Sequence, residues 1–157
     1  MIGRRVEVRL AKRGDEADVG TLIAGFRDFM REAEPSDGRI AQVVEELIDD
    51  DDTEFLLAGD PPVGVAQLRF RRSVWTGSDD AWLEDVFVRE QARGEGAGRA
   101  LVQGCIERAR ARGCKRIQLD TVDRNTEALT LYESLGFSAD GPSYWEGGRR
   151  ICLTLGL

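Results

Sequence analysis

Trp82-Leu83-Glu84-Asp85-Val86-Phe87-Val88-Arg89-Glu90-Gln91-Ala92-Arg93-Gly94-Glu95-Gly96-Ala97-Gly98-Arg99-Ala100-Leu101 is the stretch from which the fold can be read. Trp82 to Val88 is a short apolar strand that carries two acids. Arg89 to Ala92 leads from it into alternate glycines, and a helix follows at once, with Leu101, Val102, Cys105, Ile106 and Ala109 along its apolar face. Arg110, Arg112 and Gly113 suit the end of that helix. Glycines placed between a strand and a helix N-terminus leave backbone N–H groups uncovered beside the positive end of the helix dipole. That arrangement holds phosphates.

Upstream, Val6-Glu7-Val8-Arg9-Leu10 alternates as a strand, and Val19, Leu22, Ile23, Phe26, Phe29 and Met30 recur at helical spacing with Asp15 placed to cap. Glu34 to Gly38 breaks that helix, and Ile40, Val43, Val44, Leu47 and Ile48 trace a second. Phe55 to Ala58 and Val63 to Phe70 are strands joined through Gly59-Asp60-Pro61-Pro62. A polar turn, Trp75 to Asp80, precedes the strand Ala81 to Val88. Downstream, Lys115 to Thr121 is a strand and Glu127 to Leu135 a helix stopped by Gly136. Phe137 to Ala139 starts a strand that pairs with Arg150 to Leu155 across Trp145-Glu146-Gly147-Gly148. The order β-α-α-β-β-β-α-β-α-β-β predicts an α/β protein, a mixed sheet with helices packed on it.

The 157 residues suit one domain, 1–157, with a core large enough to need neither disulfide nor metal. No run reaches the roughly 20 apolar residues of a membrane span, and the N-terminus has no apolar signal-peptide core. A cytoplasmic location follows by default. A net charge of −7 argues against a nucleic-acid partner and mildly favours cationic ones. Part of that charge is Asp49-Asp50-Asp51-Asp52, a solvated helix end or loop. Cys105, Cys114 and Cys152 lack metal-ligand spacing and are expected to be reduced and structural. Histidine is absent, which excludes a His base, a Ser-His-Asp triad and His-ligated zinc. Acid–base chemistry therefore falls to Glu, Asp, Tyr, Lys or Cys.

A glycine-rich turn alone is weak. A dinucleotide site fits poorly, because Gly94-Glu95-Gly96-Ala97-Gly98-Arg99 lacks the third glycine at the required place and follows an antiparallel hairpin. No Lys-Ser or Lys-Thr follows for a Walker-type loop. A purely structural glycine turn is the remaining rival. The deciding stretch is Asn125-Thr126-Glu127-Ala128-Leu129-Thr130-Leu131-Tyr132-Glu133-Ser134-Leu135-Gly136-Phe137, in which Asn125 and Tyr132 stand two helical turns apart on one face. Together with Arg93-x-x-Gly96-x-Gly98, it resembles the GNAT superfamily of acyl-CoA-dependent N-acyltransferases.

The resemblance implies a central, mostly antiparallel sheet splayed at the acyl-CoA strand, with about four helices around it. It implies acetyl-CoA as acyl donor. The backbone of Val86, Phe87 and Val88 would pair with the pantetheine arm, with the Val86 N–H on the thioester carbonyl. The motif residues Arg93, Gly94, Glu95, Gly96, Ala97, Gly98 and Arg99 would form the pyrophosphate loop, Glu95 turning its side chain to solvent. Asn125 would bind pantetheine or cap its helix. Glu84 is the expected base, directly or through water, and Tyr132 the acid that protonates the departing thiolate. A free glutamate titrates at about 4.3, so the role asks for burial beside Trp82. Asp85 points to the opposite face of a regular strand, unless a bulge intervenes. The Leu-Glu-Asp stretch looks like that of polyamine-type acetyltransferases.

Glu84, Asp85, Asp120 and the overall acidity favour a small cationic amine as acceptor, and Trp75, Trp82 and Trp145 offer cation–π faces or ordinary packing. A protein or peptide amine is an alternative acceptor. A sensor that binds acetyl-CoA without catalysis is the alternative of a different class. A homodimer through the last strands is possible.

Overall fold

The computed structural model describes residues 5–139 and 153–156. The chain divides into two compact units, Met1–Val122 and Asp123–Leu157. The first holds β1 (Val8–Leu10), α1 (Glu16–Phe29), α2 (Asp37–Leu47), β2 (Thr53–Ala58), β3 (Gly64–Ser73), β4 (Ser78–Val88), α3 (Ala97–Ala111) and β5 (Ile117–Leu119). The second holds α4 (Thr126–Ser134). The sheet order is β1-β2-β3-β4-β5, antiparallel throughout except for the parallel pair β4–β5. Among the described residues the chain forms the expected mixed, mostly antiparallel sheet with four helices.

One face of the sheet is covered by α1 and α2. Their apolar stripes bury Val19, Leu22, Ile40 and Val44 in one cluster with Phe55, Leu57, Val65 and Phe87. Gly25 lets α1 close on β4, because a Cβ there would stand 3.0 Å from the Phe87 ring. Helix α3 covers the other face, burying Leu101, Val102, Cys105 and Ala109. A Cβ at Gly104 would come within 2.9 Å of Leu56 and 3.2 Å of Val8, so α3 lies close on β1 and β2.

Several local expectations change. Asp15 stands at the N-cap of α1, yet its carboxylate accepts from the Arg9 guanidinium at 2.7 and 2.8 Å and from the Lys12 N–H at 2.9 Å. It therefore ties the end of β1 to the helix start, and the bonds from Arg9 hold its pKa at about 2. The turn between β3 and β4 is Val74–Gly77, and Ser78 to Asp80 already belong to the strand. The acidic run Asp49 to Asp52 is a turn held by arginines: Arg13 pairs with Asp49, and Arg112 donates to the Asp51 carbonyl and the Asp52 carboxylate. The strand expected over Lys115 to Thr121 is reduced to Ile117–Leu119.

In the second unit the Asn125 side chain caps α4, accepting the Ala128 N–H at 3.4 Å. Gly136, at φ +94°, follows the helix end. Phe137 to Ala139 is not a strand, and residues 153–155 are not one either, so the expected terminal pair is not formed there. The rest of that pair, with Trp145 to Gly148 and Cys152, lies outside the described residues. No helix among the described residues is long and apolar enough to cross a membrane.

Candidate active site

The site begins with an extra residue. Strand β3 pairs with β4 as Phe70↔Ala81, Arg69↔Trp82 and Leu68↔Leu83, and then as Gln67↔Asp85, which leaves Glu84 unopposed in a β-bulge. The bulge shifts the parity of everything after it. Asp85, opposite Gln67, shares a face with Phe87, opposite Val65, and that is the face covered by α1 and α2. In a regular strand Asp85 would share a face with Leu83 instead.

The same strand has an open edge. Strand β5 pairs with Ala81, Trp82 and Leu83 only, so beyond Leu83 that edge of β4 carries no strand among the described residues. The Arg89 N–H donates to the Val63 carbonyl at 2.9 Å, and this sets the antiparallel alternation. Phe87 turns its N–H and C=O toward β3, while Val86 and Val88 turn theirs to the open edge. Asp80 holds the other end of the β4–β5 pair. Buried at 1% exposure, it accepts from the Arg116 guanidinium at 2.9 and 2.6 Å and from the Thr76 hydroxyl at 3.0 Å, which ties β4 to β5. Burial works against its charge, but Arg116 and Thr76 outweigh it and keep the pKa low.

Asp85 is a half-buried carboxylate with no hydrogen bond or ion pair among the described residues. Burial first, and then the charge of Glu84, push its pKa up to about 6. Glu84 itself is exposed, so the expected burial beside Trp82 is not formed. The Trp82 ring instead lies 5.9 Å from the Arg71 guanidinium, and Trp75 is exposed at the β3–β4 turn. Trp145 lies outside the described residues. Asp120, exposed, follows Leu119, the partner of Leu83, and so stands where the two strands part.

A single 3-10 turn, Glu90–Ala92, connects β4 to the glycine loop. Gly94 and Gly96 take φ of +81° and +91°, which only glycine adopts without strain, and a Cβ on either would project into open space. Gly96 is the N-cap of α3 with no side-chain cap, and no acid stands in the first turn. The first α3 amides therefore remain open to an anion. Ala97 is buried at the loop's base, Glu95 and Arg99 are exposed, and Gly98 lies in the first turn. Arg93 turns back from this loop. Its Nε donates to the Val88 carbonyl at 3.0 Å, and its guanidinium lies 4.5 Å from the Phe29 ring centre.

The first unit thus brings together Glu84, Asp85, the open edge of Val86 to Val88, and the glycine loop. Tyr132 and Asn125 belong to the second unit, where Tyr132 meets Phe137 edge-on at 5.7 Å. Neither described cysteine offers a nucleophile: burial pushes the Cys105 thiol up to about 12, and burial raises Cys114 as well. No cluster of His, Cys, Asp and Glu able to hold a metal occurs among the described residues. A strand edge paired with no neighbouring strand beyond Leu83, leading into an uncapped helix N-terminus, fits an acyl-CoA, whose amide arm and pyrophosphate need those two surfaces.

Comparison with known proteins agrees. A model of the acetyltransferase (GNAT) family matches residues 22–137. Thialysine N-epsilon-acetyltransferase of Sus scrofa is 29% identical over 143 residues, 81% of this chain and 82% of its own length. A protein from Arthrobacter sp. FB24, solved as a candidate acetyltransferase, matches with a TM-score of 0.83 at 30% identity, over 97% of this chain and 98% of its own. An aminoglycoside N-acetyltransferase solved in complex with CoA matches with a TM-score of 0.74 at 21% identity, over 97% of this chain and all (100%) of its own. That last likeness concerns the fold.

Proposed function

The chain belongs to the acetyltransferase (GNAT) family, and on that premise we propose that it moves an acetyl group from acetyl-CoA to the primary amine of a small cationic acceptor. The observation that carries this reading is an unpartnered, half-buried Asp85 beside Glu84 on the bulge, next to the open edge of Val86 to Val88. A half-buried carboxylate with no partner and a raised pKa is a candidate place for a substrate cation. The thialysine-acetylating relative points to the same class of acceptor.

Acetyl-CoA supplies the activated acyl group. The Val86 N–H, directed to the open edge, donates to the thioester carbonyl and stabilises the charge that develops there. The amides from Gly94 to Arg99 hold the pyrophosphate. The Glu84–Asp85 pair receives the ammonium and removes its proton, and within the pair Asp85 is the better base near neutrality because burial lifts it to about 6. Glu84 assists from the bulge, directly or through water, and Asp120 adds negative charge where the strands part. Tyr132 returns a proton to the thiolate. Asn125 is spent on capping α4. The whole chain acts as one acetyltransferase domain.

The test is thiol release from acetyl-CoA with a panel of amines: lysine-like and thialysine-like side chains, polyamines, neutral amines and peptide N-termini. Release with the small cationic amines supports the reading. Release with peptides alone moves the acceptor to a protein. Tight binding of acetyl-CoA without release from any amine makes the protein a sensor.

A further inference from the structure

Arg93 is the basic residue that opens the glycine motif, and the expected use of a cation there is phosphate. Its side chain is engaged elsewhere. The Nε donates to the Val88 carbonyl at 3.0 Å, and the guanidinium carbon lies 4.5 Å from the Phe29 ring centre and 5.8 Å from that of Phe87. Phe87 in turn meets Phe26 at 5.8 Å and Phe29 at 6.3 Å. Gly25, one helical turn before Phe29 on the same helix, brings α1 down on Phe87. One guanidinium thus joins the glycine loop, the end of β4 and the C-terminal turn of α1.

Two of those places have opposite duties. The Val88 carbonyl faces the open edge of β4, where an acyl donor pairs. Phe29 and its neighbour Met30, both partly exposed, end the helix that covers the face carrying Asp85. A group that pairs with the Val88 carbonyl meets Arg93 there, and a shift of Arg93 is transmitted to Phe29 through the ring contact.

We propose that Arg93 is a positioning residue: it couples occupancy of the donor edge of β4 to the placement of the end of α1, and so to the seating of the acceptor amine. This rests on the acetyl-transfer reading of the same site. Arg93 then acts on the acceptor more than on the phosphates of the donor.

The experiment places 4-fluorophenylalanine at position 29 of the full chain and titrates it with coenzyme A, following fluorine NMR and calorimetry. The Phe29 resonance should shift as coenzyme A saturates the wild type and stay still in Arg93→Gln. In steady state, Arg93→Gln and Phe29→Leu should each raise acceptor KM roughly tenfold, with coenzyme A affinity changed by less than about threefold. The double variant should fall short of the product of the two, and Arg93→Lys should recover part of the loss. Arg93→Gln that weakens coenzyme A tenfold or more, with acceptor KM unchanged, would overturn the proposal and return the side chain to the phosphates. A wild type that binds coenzyme A without moving the Phe29 resonance overturns the coupling alone. A wild type that does not bind coenzyme A overturns the acetyl-transfer reading, and the coupling with it.

Discussion

Asp85 shows how one bulged residue redirects the chemistry. Its folded pKa of about 6 lies above the ordinary aspartate value, so the fold favours the protonated form. Stability contributed in this way is full at low pH and is lost as pH rises through about 6. Asp85→Asn should therefore be more stable than wild type at pH 8, by roughly 1–3 kcal/mol, and no more stable near pH 3. Urea melts at the two pH values measure this. The base role has the opposite sign: kcat/KM should rise with pH through about 6 in wild type, and that limb should vanish in Asp85→Asn. Glu84→Gln removes a like charge and should move the limb to lower pH, while Tyr132→Phe should lower turnover roughly ten- to a thousandfold with acetyl-CoA affinity retained. Sequence reasoning ranked Glu84 first because a regular strand places Asp85 on the far face. No residue in Leu83 to Val88 announces a bulge, since the run Val86-Phe87-Val88 is apolar on either parity.

At the scale of elements, the glycine loop and the helix after it were legible, because turn glycines and helical stripes are local signals. The strands were less so, because a strand exists only where a neighbour offers a ladder. Lys115 to Thr121 alternates well enough, yet it pairs only with Ala81 to Leu83 of β4, so the strand is three residues long. Residues 153–155 of the alternating stretch Arg150 to Leu155 are likewise not a strand. Two glycines separate site from scaffold. Gly96→Ala puts a side chain at φ +91° and should cost about 1–2 kcal/mol while weakening coenzyme A, because it redirects the loop amides. Gly104→Ala presses on Leu56 and Val8 and should cost about 1–3 kcal/mol with coenzyme A affinity unchanged in the folded fraction. Urea melts paired with calorimetry distinguish the two.

For the molecule as a whole, the net charge of −7 is unevenly answered. Arg9, Arg27, Arg108, Arg112 and Arg116 each pair with acids that hold the scaffold: Asp15, Asp37, Glu54, Asp79 and Asp80. Glu84 and Asp85, unlike these five acids, form no ion pair among the described residues. Dicationic amines should accordingly be preferred over neutral ones, and the ratio of their kcat/KM values should fall as salt is raised from about 0.01 to 0.5 M. The central claim is narrower than acceptor preference: this chain moves an acyl group from a thioester to an amine. A mass balance with excess protein, acetyl-CoA and a cationic amine from the panel tests it directly. The account predicts one free coenzyme A thiol for each N-acetylated amine formed, with both formed more slowly in Asp85→Asn at pH 7. Thiol released without acetylated amine, or an equal rate of both from Asp85→Asn, would contradict it.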